Sequence, residues 1–437
     1  MTVCPAKTII FNISTLSRST AVTDLSNIDF KDIYCTDSAS SLQKERYLRA
    51  IDEFNKTFPE LSYSNIFSAP GRTEIGGNHT DHQHGTVLAA SVNKDAIAVT
   101  ARTSDNKVRV LARGFGLTEI DLMDLKLREE EKGSTPALIR GVLAGLKDGG
   151  YRLGGFAAYI TSDVLIGAGL SSSAAFETLI ATIVSGLYND MGIDAITIAK
   201  IGRYAENVYF GKPCGLMDQM ACSVGGLVHI DFAEAESPIV EPVRFDFPKT
   251  GYVICITDAK ASHADLTDEY AAVPDEMREA ASVLGKDVLR DVTFDDIIDN
   301  IDEIRKRAGD RACLRAIHFT QETKRARLEA QALMRGDMPG FIKLVQSSGN
   351  SSFKFLQNVY SNKDVRSQSV SLALAISDVI LKDTEAARVH GGGFAGTIQA
   401  FVLEENAPMY QEYMDKVFGK GSCEILSIRK YGGIKVI

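Results

Sequence analysis

Apolar positions along the chain follow two different periods, and together they predict a fold that mixes helices with strands. After the small-residue run at 167–175, GAGLSSSAA, apolar residues recur at steps of three and four, which is the spacing of one buried helical face. This pattern predicts a helix at 171–188, and similar patterns predict others at 41–58, 195–209, most of 276–346, 369–387 and 407–418. Short apolar runs predict strands at 66–69, 156–160, 227–232, 252–257 and 397–403.

One pair of predicted strands carries a local turn signal. The β-prone runs 96–101 and 108–112 flank Ser104-Asp105-Asn106, which predicts a hairpin. Helices and strands do not alternate as regular βαβ units, so we expect an α+β architecture in two lobes. We place an N-terminal extension at 1–40, a first lobe at 41–235 and a second lobe at 236–437. The pattern within the extension predicts neither its structure nor its role.

Composition narrows the class of protein. The chain has 437 residues, 45% of them hydrophobic and 24% charged, which is typical of a globular protein with a sizeable core. Its net charge of −9 argues against a nucleic-acid partner. Seven scattered cysteines without a C-x-x-C pair predict neither a disulfide framework nor a zinc ribbon, so we expect a reducing, cytoplasmic location. We predict no secretory signal and no membrane span.

Two glycine-rich segments are candidates for binding a nucleotide. In the 167–175 loop, glycines allow close backbone approach and serines cap the following helix, whose N-terminal N–H groups form an anion site suited to phosphate. The loop lacks the Walker pattern. The segment 391–396 matches G-x-G-x-x-G, but a helix-like stretch precedes it and a β-prone run follows, which excludes a dinucleotide fold. It is either a tight turn or a backbone wall beside the first loop.

The stretch 68–85 concentrates polar chemistry. His79, His82 and His84 lie within six residues, beside Asp81. A metal-dependent hydrolase is one interpretation, although the order differs from H-x-H-x-D-H and no second cluster of ligands is evident. A polar sugar pocket, in which His79 and Asp81 bind hydroxyl groups, is another, and a solvated loop is the third.

A lone carboxylate marks a third segment. Asp218 lies in a largely apolar run at 215–224, where an acidic side chain needs a partner or a function. Arg72 is its natural partner. Alternatively, Asp218 simply caps a helix.

Taken together, these segments resemble those of the galactokinase family, within the GHMP small-molecule kinase superfamily. The resemblance extends from about residue 41 to the end of the chain, in five segments in the family's order: the sugar signature at 70–85, the phosphate loop at 167–175, the catalytic segment CGLMDQ at 214–219, HADLTDEY at 263–270 and the third glycine motif at 389–397. It implies a two-lobed GHMP kinase fold, with an N-terminal ribosomal-protein-S5-like lobe that binds sugar and ATP and a C-terminal ferredoxin-like lobe. It also implies transfer of a phosphoryl group from ATP to the anomeric hydroxyl of D-galactose.

The resemblance assigns a role to individual residues. Asp218 would act as general base or orienting anion, with Arg72 beside it and near the migrating phosphoryl group. Ser173 and Glu206 would hold Mg²⁺. The sugar site would contain Asn78, His79, Asp81, Gly215 and Tyr270. The phosphates would lie against Gly167, Gly169, Leu170, Ser171, Ser172 and Ser173.

The chain departs from the family at several positions. The family usually has Glu in place of Asn78 and Tyr in place of His82, and since a neutral amide both donates and accepts, a sugar altered at C6, such as galacturonate or L-arabinose, is an alternative substrate. Leu165 and Ala395 replace a common proline and a common glycine, and we expect little effect. A non-catalytic galactose sensor is a further alternative, although the phosphate loop, Arg72 and Asp218 are all present. The expected partner is a small-molecule sugar rather than a nucleic acid or a membrane, and the pattern predicts no oligomeric state.

Overall fold

The computed structural model of the protein describes residues 25–164, 169–234, 237–260, 266–394 and 396–437, without the side chains of residues 37–39. Within these ranges the chain forms two β-sheets and a set of helices. The helices are α1 Phe30–Tyr34, α2 Asp37–Thr57, α3 Thr135–Asp148, α4 Ser172–Tyr188, α5 Ala195–Tyr204, α6 Met217–Val224, α7 Thr267–Val283, α8 Phe294–Asp299, α9 Ile301–Ala308, α10 Asp310–Met334, α11 Met338–Ser351, α12 Ser369–Ile380 and α13 Ala407–Phe418. The strands are β1 Asn65–Gly76, β2 Thr86–Arg102, β3 Lys107–Ala112, β4 Leu117–Asp121, β5 Phe156–Ser162, β6 Leu227–Asp231, β7 Ile239–Val243, β8 Tyr252–Asp258, β9 Ala386–His390, β10 Thr397–Leu403, β11 Cys423–Leu426 and β12 Ile434–Lys435.

The larger sheet has eight strands and is covered on both faces. Its main path is β12-β1-β2-β5-β3-β4, and β6 and β7 extend from the first half of β2. Residues that alternate along β1 and β2 contribute to opposite cores: one with α3, α4 and α5, the other with α1 and α2. This alternation is the two-residue period of a strand buried on both sides.

The smaller sheet is antiparallel, in the order β11-β8-β10-β9. One face packs on α12 and α13, while the other joins α10, α11 and residues of the larger sheet in a shared core. The two sheets with segregated helices confirm the predicted α+β class.

The predicted hairpin at 96–112 is wrong. Strands form at both places, but β5 lies between them, antiparallel to β2 and parallel to β3. Phe156 at the start of β5 is paired with Arg102 on one side and Val108 on the other. The strand at 156–160 was predicted, but its position between the two flanking strands was not, because the turn signal at Ser104-Asp105-Asn106 reports only on neighbouring residues.

Three other boundaries differ from the prediction. Strand β1 does not stop at Pro70 but continues to Gly76, with an irregularity between Pro70 and Arg72 that accommodates the missing proline N–H. The helix predicted at 369–387 ends at Ile380, because Ala386 and its neighbours pair with β10 despite their helix-favouring residues. The helix predicted at 195–209 ends in a π-helical turn, Ala205–Phe210.

Residues 25–36, which the sequence placed in an extension, pack on the larger sheet. The fully buried carboxylate of Asp95 on β2 accepts hydrogen bonds from Tyr34 Oη at 2.7 Å and from the guanidinium groups of Arg46 at 2.6 Å and Arg429 at 2.8 Å. Burial works to raise the pKa of Asp95, but the two arginines hold it below its usual value. This cluster links α1 and α2 to the last part of the chain. The division at residue 235 stays a prediction, and residues 1–24 lie outside the described residues.

Candidate active site

The predicted phosphate loop leads into α4 through a left-handed backbone. Gly169 has φ of 72°, and a Cβ atom there would lie 2.7 Å from Thr397 Oγ1 and 2.9 Å from His390 Nδ1. Ser171, the residue before α4, is also left-handed, with φ of 54°, a conformation that a non-glycine residue keeps only where its surroundings demand it. The first turn of α4, which begins at Ser172, leaves N–H groups free of intrahelical partners and suited to an anion. Gly167 lies outside the described residues.

Arg72 holds this loop through both its backbone and its side chain. The irregularity in β1 between Pro70 and Arg72 turns the Arg72 N–H toward Leu170 O, at 3.1 Å. The Arg72 guanidinium donates to Gly169 O through Nη1. The side chain is 9% exposed, so its charge lies within the protein. The loop is therefore tied to the strand that carries the predicted sugar signature.

Asp218 lies against this loop, paired with Arg72 as predicted. Its two carboxylate oxygens accept from Arg72 Nε and Nη2, each at 2.7 Å, in a bidentate pair. Ser171 Oγ also donates to Asp218. Asp218 is the second residue of α6, but its side chain forms no cap on that helix. Of the two interpretations of this residue, the structure favours the paired carboxylate over the simple helix cap.

The charge of Asp218 is stabilised. Burial works to raise the pKa of its carboxyl, but the Arg72 guanidinium and the hydrogen bonds from Arg72 and Ser171 bring that pKa below its usual value. Asp218 is thus an ionised acceptor at neutral pH, placed beside the turn that would hold terminal phosphates.

Glu206 lies in the π-helical turn that follows α5, a kind of irregularity common at functional sites. Its carboxylate is 3% exposed, and its Oε1 accepts from Ser173 Oγ at 3.0 Å and from Lys212 Nζ at 3.1 Å. Its Oε2 accepts from Gln219 Nε2 at 2.8 Å. Ser173 and Glu206, the two residues predicted to hold Mg²⁺, are therefore brought together, and their oxygen atoms are the kind of ligand that Mg²⁺ prefers.

A second acidic side chain lies beside Glu206. Gln219 Nε2 also contacts Glu177 Oε2 at 3.2 Å, whereas the buried Glu177 Oε1 has no hydrogen-bond partner in the structure. Burial, followed by the nearby charge of Glu206, raises the pKa of Glu177 well above its usual value. The protonated form of Glu177 is therefore favoured, and the Gln219 amide bridges Glu177 to Glu206.

The predicted sugar-site residues converge on the same region. Asp81 faces the catalytic segment so closely that a Cβ on Gly215 would lie 2.6 Å from Asp81 Oδ2. Tyr270 on α7 donates from its hydroxyl to Gly393 O at 2.9 Å, and its ring packs on Gly392. His79 Nε2 donates to Gly392 O at 3.1 Å. Residues 261–265, which include the first three residues of the HADLTDEY match, lie outside the described residues.

Asn78 is fully buried, and protein groups occupy its whole amide. Its Nδ2 donates to Glu74 Oε1 at 3.1 Å and to Gly391 O at 2.8 Å. Its Oδ1 accepts from Asn358 Nδ2 at 2.9 Å and Ser352 Oγ at 3.3 Å. Since an amide offers two donors and two acceptor positions, no group of Asn78 is left for a ligand.

The third glycine motif is both a tight turn and a backbone wall beside the first loop, the two alternatives that the sequence left open. It is the turn between the antiparallel strands β9 and β10, and a strand, not the predicted helix, precedes it. The same turn borders the site, because its carbonyl groups bind Asn78 and His79, and because His390 and Thr397 at the adjacent strand ends pack against Gly169.

Two histidines of the site, His79 and His390, are uncharged at neutral pH. Burial lowers the pKa of His79 to about 4 and that of His390 well below its usual value. His390 Nε2 accepts the Glu74 N–H at 3.2 Å, so Nδ1 carries the proton and donates to Thr397 Oγ1 at 2.9 Å. In the described part of the chain, no three or more His, Cys, Asp and Glu side chains are placed to hold a metal ion, so the hydrolase alternative lacks its ligand cluster.

Three further residues of the site received no role from the sequence. Arg388 donates to Glu74 Oε1 at 2.5 Å and stabilises the buried acid that also binds Asn78. Gln219 and Lys212 both contact Glu206. Gln219 is the last residue of the CGLMDQ segment and Lys212 lies just before it, so that segment was the signal that could have found them. Arg388 lies in β9, where a predicted helix obscured it.

Comparison with known proteins decides the family. Residues 52–102 match the family described as the galactokinase galactose-binding signature, and residues 137–226 match the GHMP kinases N terminal domain. A galactokinase of Streptomyces coelicolor is 30% identical over 344 residues, which are 78% of this chain and 85% of that protein. The chain belongs to the galactokinase family. The GHMP kinase superfamily and the galactokinase resemblance predicted from five short motifs are confirmed.

Solved structures agree with this galactokinase-family assignment at the level of the fold. The crystal structure of Lactococcus lactis galactokinase complexed with galactose superimposes with a TM-score of 0.73 at 22% identity, covering 88% of this chain and 98% of that one. Mevalonate kinase of Methanococcus jannaschii superimposes with a TM-score of 0.59 at 17% identity, covering 84% and 98%. These confirm the predicted GHMP kinase fold. No helix in the described ranges combines the length and apolar character needed to cross a membrane.

Proposed function

We propose that this protein transfers the γ-phosphoryl group of ATP to the anomeric hydroxyl of D-galactose, forming galactose 1-phosphate and ADP. One observation carries the proposal: Asp218 is bound both by Arg72 of the sugar-signature strand and by Ser171 of the phosphate loop. The acid that would meet the acceptor hydroxyl therefore lies beside the turn that would hold the transferred phosphoryl group. The family membership and the galactose-bound Lactococcus lactis relative support galactose as the acceptor.

Phosphoryl transfer of this kind depends on positioning and charge stabilisation more than on covalent chemistry. Backbone N–H groups at the start of α4 would bind the β- and γ-phosphates. Arg72, already shared between Asp218 and the loop carbonyl of Gly169, would balance charge on the migrating group. Ser173 and Glu206 would hold Mg²⁺, which when bound would neutralise phosphate charge.

The lowered pKa of Asp218 sets how it acts. A carboxylate held ionised by Arg72 is a weak base, so it accepts a hydrogen bond from the anomeric hydroxyl and orients that oxygen. The proton passes to Asp218 only as the new O–P bond forms. Asp218 thus serves as an orienting anion first and as a proton acceptor late in the transfer.

The sugar would lie between the sugar signature and the catalytic segment. We assign His79, Asp81, Gly215 and Tyr270 to its hydroxyl groups. Asp81 faces Gly215 of the segment that carries Asp218, and His79 and Tyr270 both bind the glycine turn at 391–393. Asn78 supports these residues from the protein interior, since its amide is fully hydrogen-bonded to protein groups. The C6-altered alternative depended on Asn78 donating to the sugar, so its occupied amide favours galactose.

A monosaccharide panel tests the proposal. Purified protein is mixed with ATP and Mg²⁺ and with galactose, galacturonate, L-arabinose or glucose, and ADP release is followed in a coupled assay. We expect turnover with galactose and a phosphorylated anomeric carbon by NMR of the product. Turnover with galacturonate or arabinose but not galactose would refute the substrate assignment, and binding of ATP and galactose without ADP release would favour the sensor alternative.

A further inference from the structure

Lys212 is a charged residue of this site to which the proposed function assigns no role. It follows the π-helical turn, directly after Gly211, which has φ of 82° and closes that turn. The Lys212 backbone N–H donates to Glu206 O at 3.1 Å, and its Nζ contacts Glu206 Oε1 at 3.1 Å. The backbone bond fixes where the lysine starts, so its ammonium group remains within reach of Glu206.

The Lys212 ammonium group lies against one of the proposed Mg²⁺ ligands. Glu206 Oε1 accepts from both Lys212 Nζ and Ser173 Oγ. The oxygens of Glu206 and Ser173 are the two proposed to hold Mg²⁺. Lys212 thus presents a positive charge to the same oxygen that a divalent cation would approach. A cation and an ammonium group cannot both remain against one carboxylate oxygen without repulsion.

Lys212 is also free to move, whereas its partner is not. Its side chain is 63% exposed, while that of Glu206 is 3% exposed and held by Gln219 as well. A lysine ammonium on a flexible four-carbon stem can change partners easily, and an ion pair with so exposed a member stabilises the protein little. Leaving Glu206 would therefore require little free energy.

We infer that Lys212 is a phosphate-binding residue, which neutralises Glu206 before nucleotide arrives and moves to the terminal phosphates when the metal–nucleotide complex engages Glu206. The inference rests on the proposed function. The charges favour this exchange. A magnesium–triphosphate complex still carries net negative charge. When it engages Glu206, it would release the Lys212 ammonium group, a cation at the edge of the site. Arg72 already shares its charge with Asp218, so Lys212 would add a second cation.

Two variants and a matched control test this exchange. Lys212→Met removes the charge and keeps the apolar stem, whereas Lys212→Arg keeps a cation. Lys56→Met is the control, because Lys56 is similarly exposed, at 61%, and pairs with carboxylates on α2. Binding of Mn²⁺ alone is measured by electron paramagnetic resonance of the free ion. Binding of the Mg²⁺ complex of AMP-PNP, a non-hydrolysable ATP analogue, is measured by titration calorimetry.

For Lys212→Met we expect about fivefold tighter binding of Mn²⁺, since Glu206 loses its competing ammonium. We expect about tenfold weaker binding of AMP-PNP, since one charge-assisted hydrogen bond to phosphate is lost. Lys212→Arg should bind AMP-PNP nearly as well as the wild type, and Lys56→Met should match the wild type in both assays.

Three results would overturn the inference. AMP-PNP affinity in Lys212→Met equal to that in Lys56→Met would show that Lys212 does not bind phosphate. An unchanged Mn²⁺ affinity would show that it does not compete at Glu206. An Arg variant as impaired as the Met variant would show that charge is not what matters. Failure of the wild type itself to bind AMP-PNP would instead refute the proposed function, so the two failures are distinguishable.

Discussion

Replacing Gly169 by alanine tests whether the phosphate loop is placed as the structure shows. The added Cβ would lie 2.7 Å from Thr397 Oγ1 and 2.9 Å from His390 Nδ1. Neither neighbour can withdraw easily, because they are buried, cross-strand partners on β9 and β10 and hydrogen-bonded to each other at 2.9 Å. The loop itself must therefore shift by roughly 0.5–1 Å to restore ordinary van der Waals distances.

Such a shift sets the expected size of the effect. The carbonyl of Gly169 accepts from Arg72, so displacing the loop also disturbs the Arg72–Asp218 pair. Misplacement of reacting groups by this amount corresponds to a loss of about tenfold to a hundredfold in kcat/KM, or about 1.4–2.7 kcal/mol of transition-state stabilisation. Alanine in a left-handed conformation adds a stability loss of about 1–2 kcal/mol.

The chain offers a matched control for the backbone part of this effect. Gly114 also has a left-handed backbone, with φ of 87°, but a Cβ there would meet nothing within 4 Å. Steady-state kinetics with varied ATP and thermal unfolding are measured for both variants. Gly114→Ala should lose stability while keeping kcat/KM, whereas Gly169→Ala should lose both. Equal kcat/KM in the two variants would refute the placement of the loop.

Three further predictions follow from the site. Asp218→Asn should lower kcat about a thousandfold while changing the KM for galactose by less than about fivefold, measured by steady-state kinetics; a variant with most of its kcat would remove Asp218 from catalysis. Asn78→Asp should destabilise the fold by about 3–5 kcal/mol in chemical denaturation, since it replaces a donor to Glu74 with a second buried carboxylate; an unchanged midpoint would contradict this. His79 has a folded pKa of about 4 against 6.5 when unfolded, so the unfolded chain binds the extra proton between these values, and stability falls as pH drops through that window. The melting temperature should therefore fall less between pH 7 and pH 5 in His79→Asn than in the wild type. Equal falls in the two proteins would contradict the lowered pKa of His79.

The sequence predicted those parts of the fold that depend on neighbouring residues. The strand at 397–403 and the helix at 407–418 form with the predicted bounds, because their apolar periods match the faces that are buried. The hairpin at 96–112 failed because β5, about fifty residues later, competes successfully for both strands. Pairing between strands that are distant in the chain cannot be predicted from the local pattern of a single sequence.

The same division holds for the site. The pairing of Asp218 with Arg72 could be predicted, since a carboxylate in an apolar run requires a cation. The occupied amide of Asn78 could not be predicted, because its partners Asn358 and Gly391 lie about three hundred residues away. Glu177 gave no signal within its helix, and its role beside Glu206 depends on how α4 and the π-helical turn pack.

The position of β5 predicts a link between refolding and nucleotide binding. This strand must slot between β2 and β3, and the loop that would cradle phosphate begins only a few residues beyond it. Contacts between distant segments form slowly, so we expect the anion-binding loop to form only after this strand has paired with its neighbours. The rate at which affinity for an ATP analogue returns after dilution from denaturant would therefore report the rate at which the large sheet assembles.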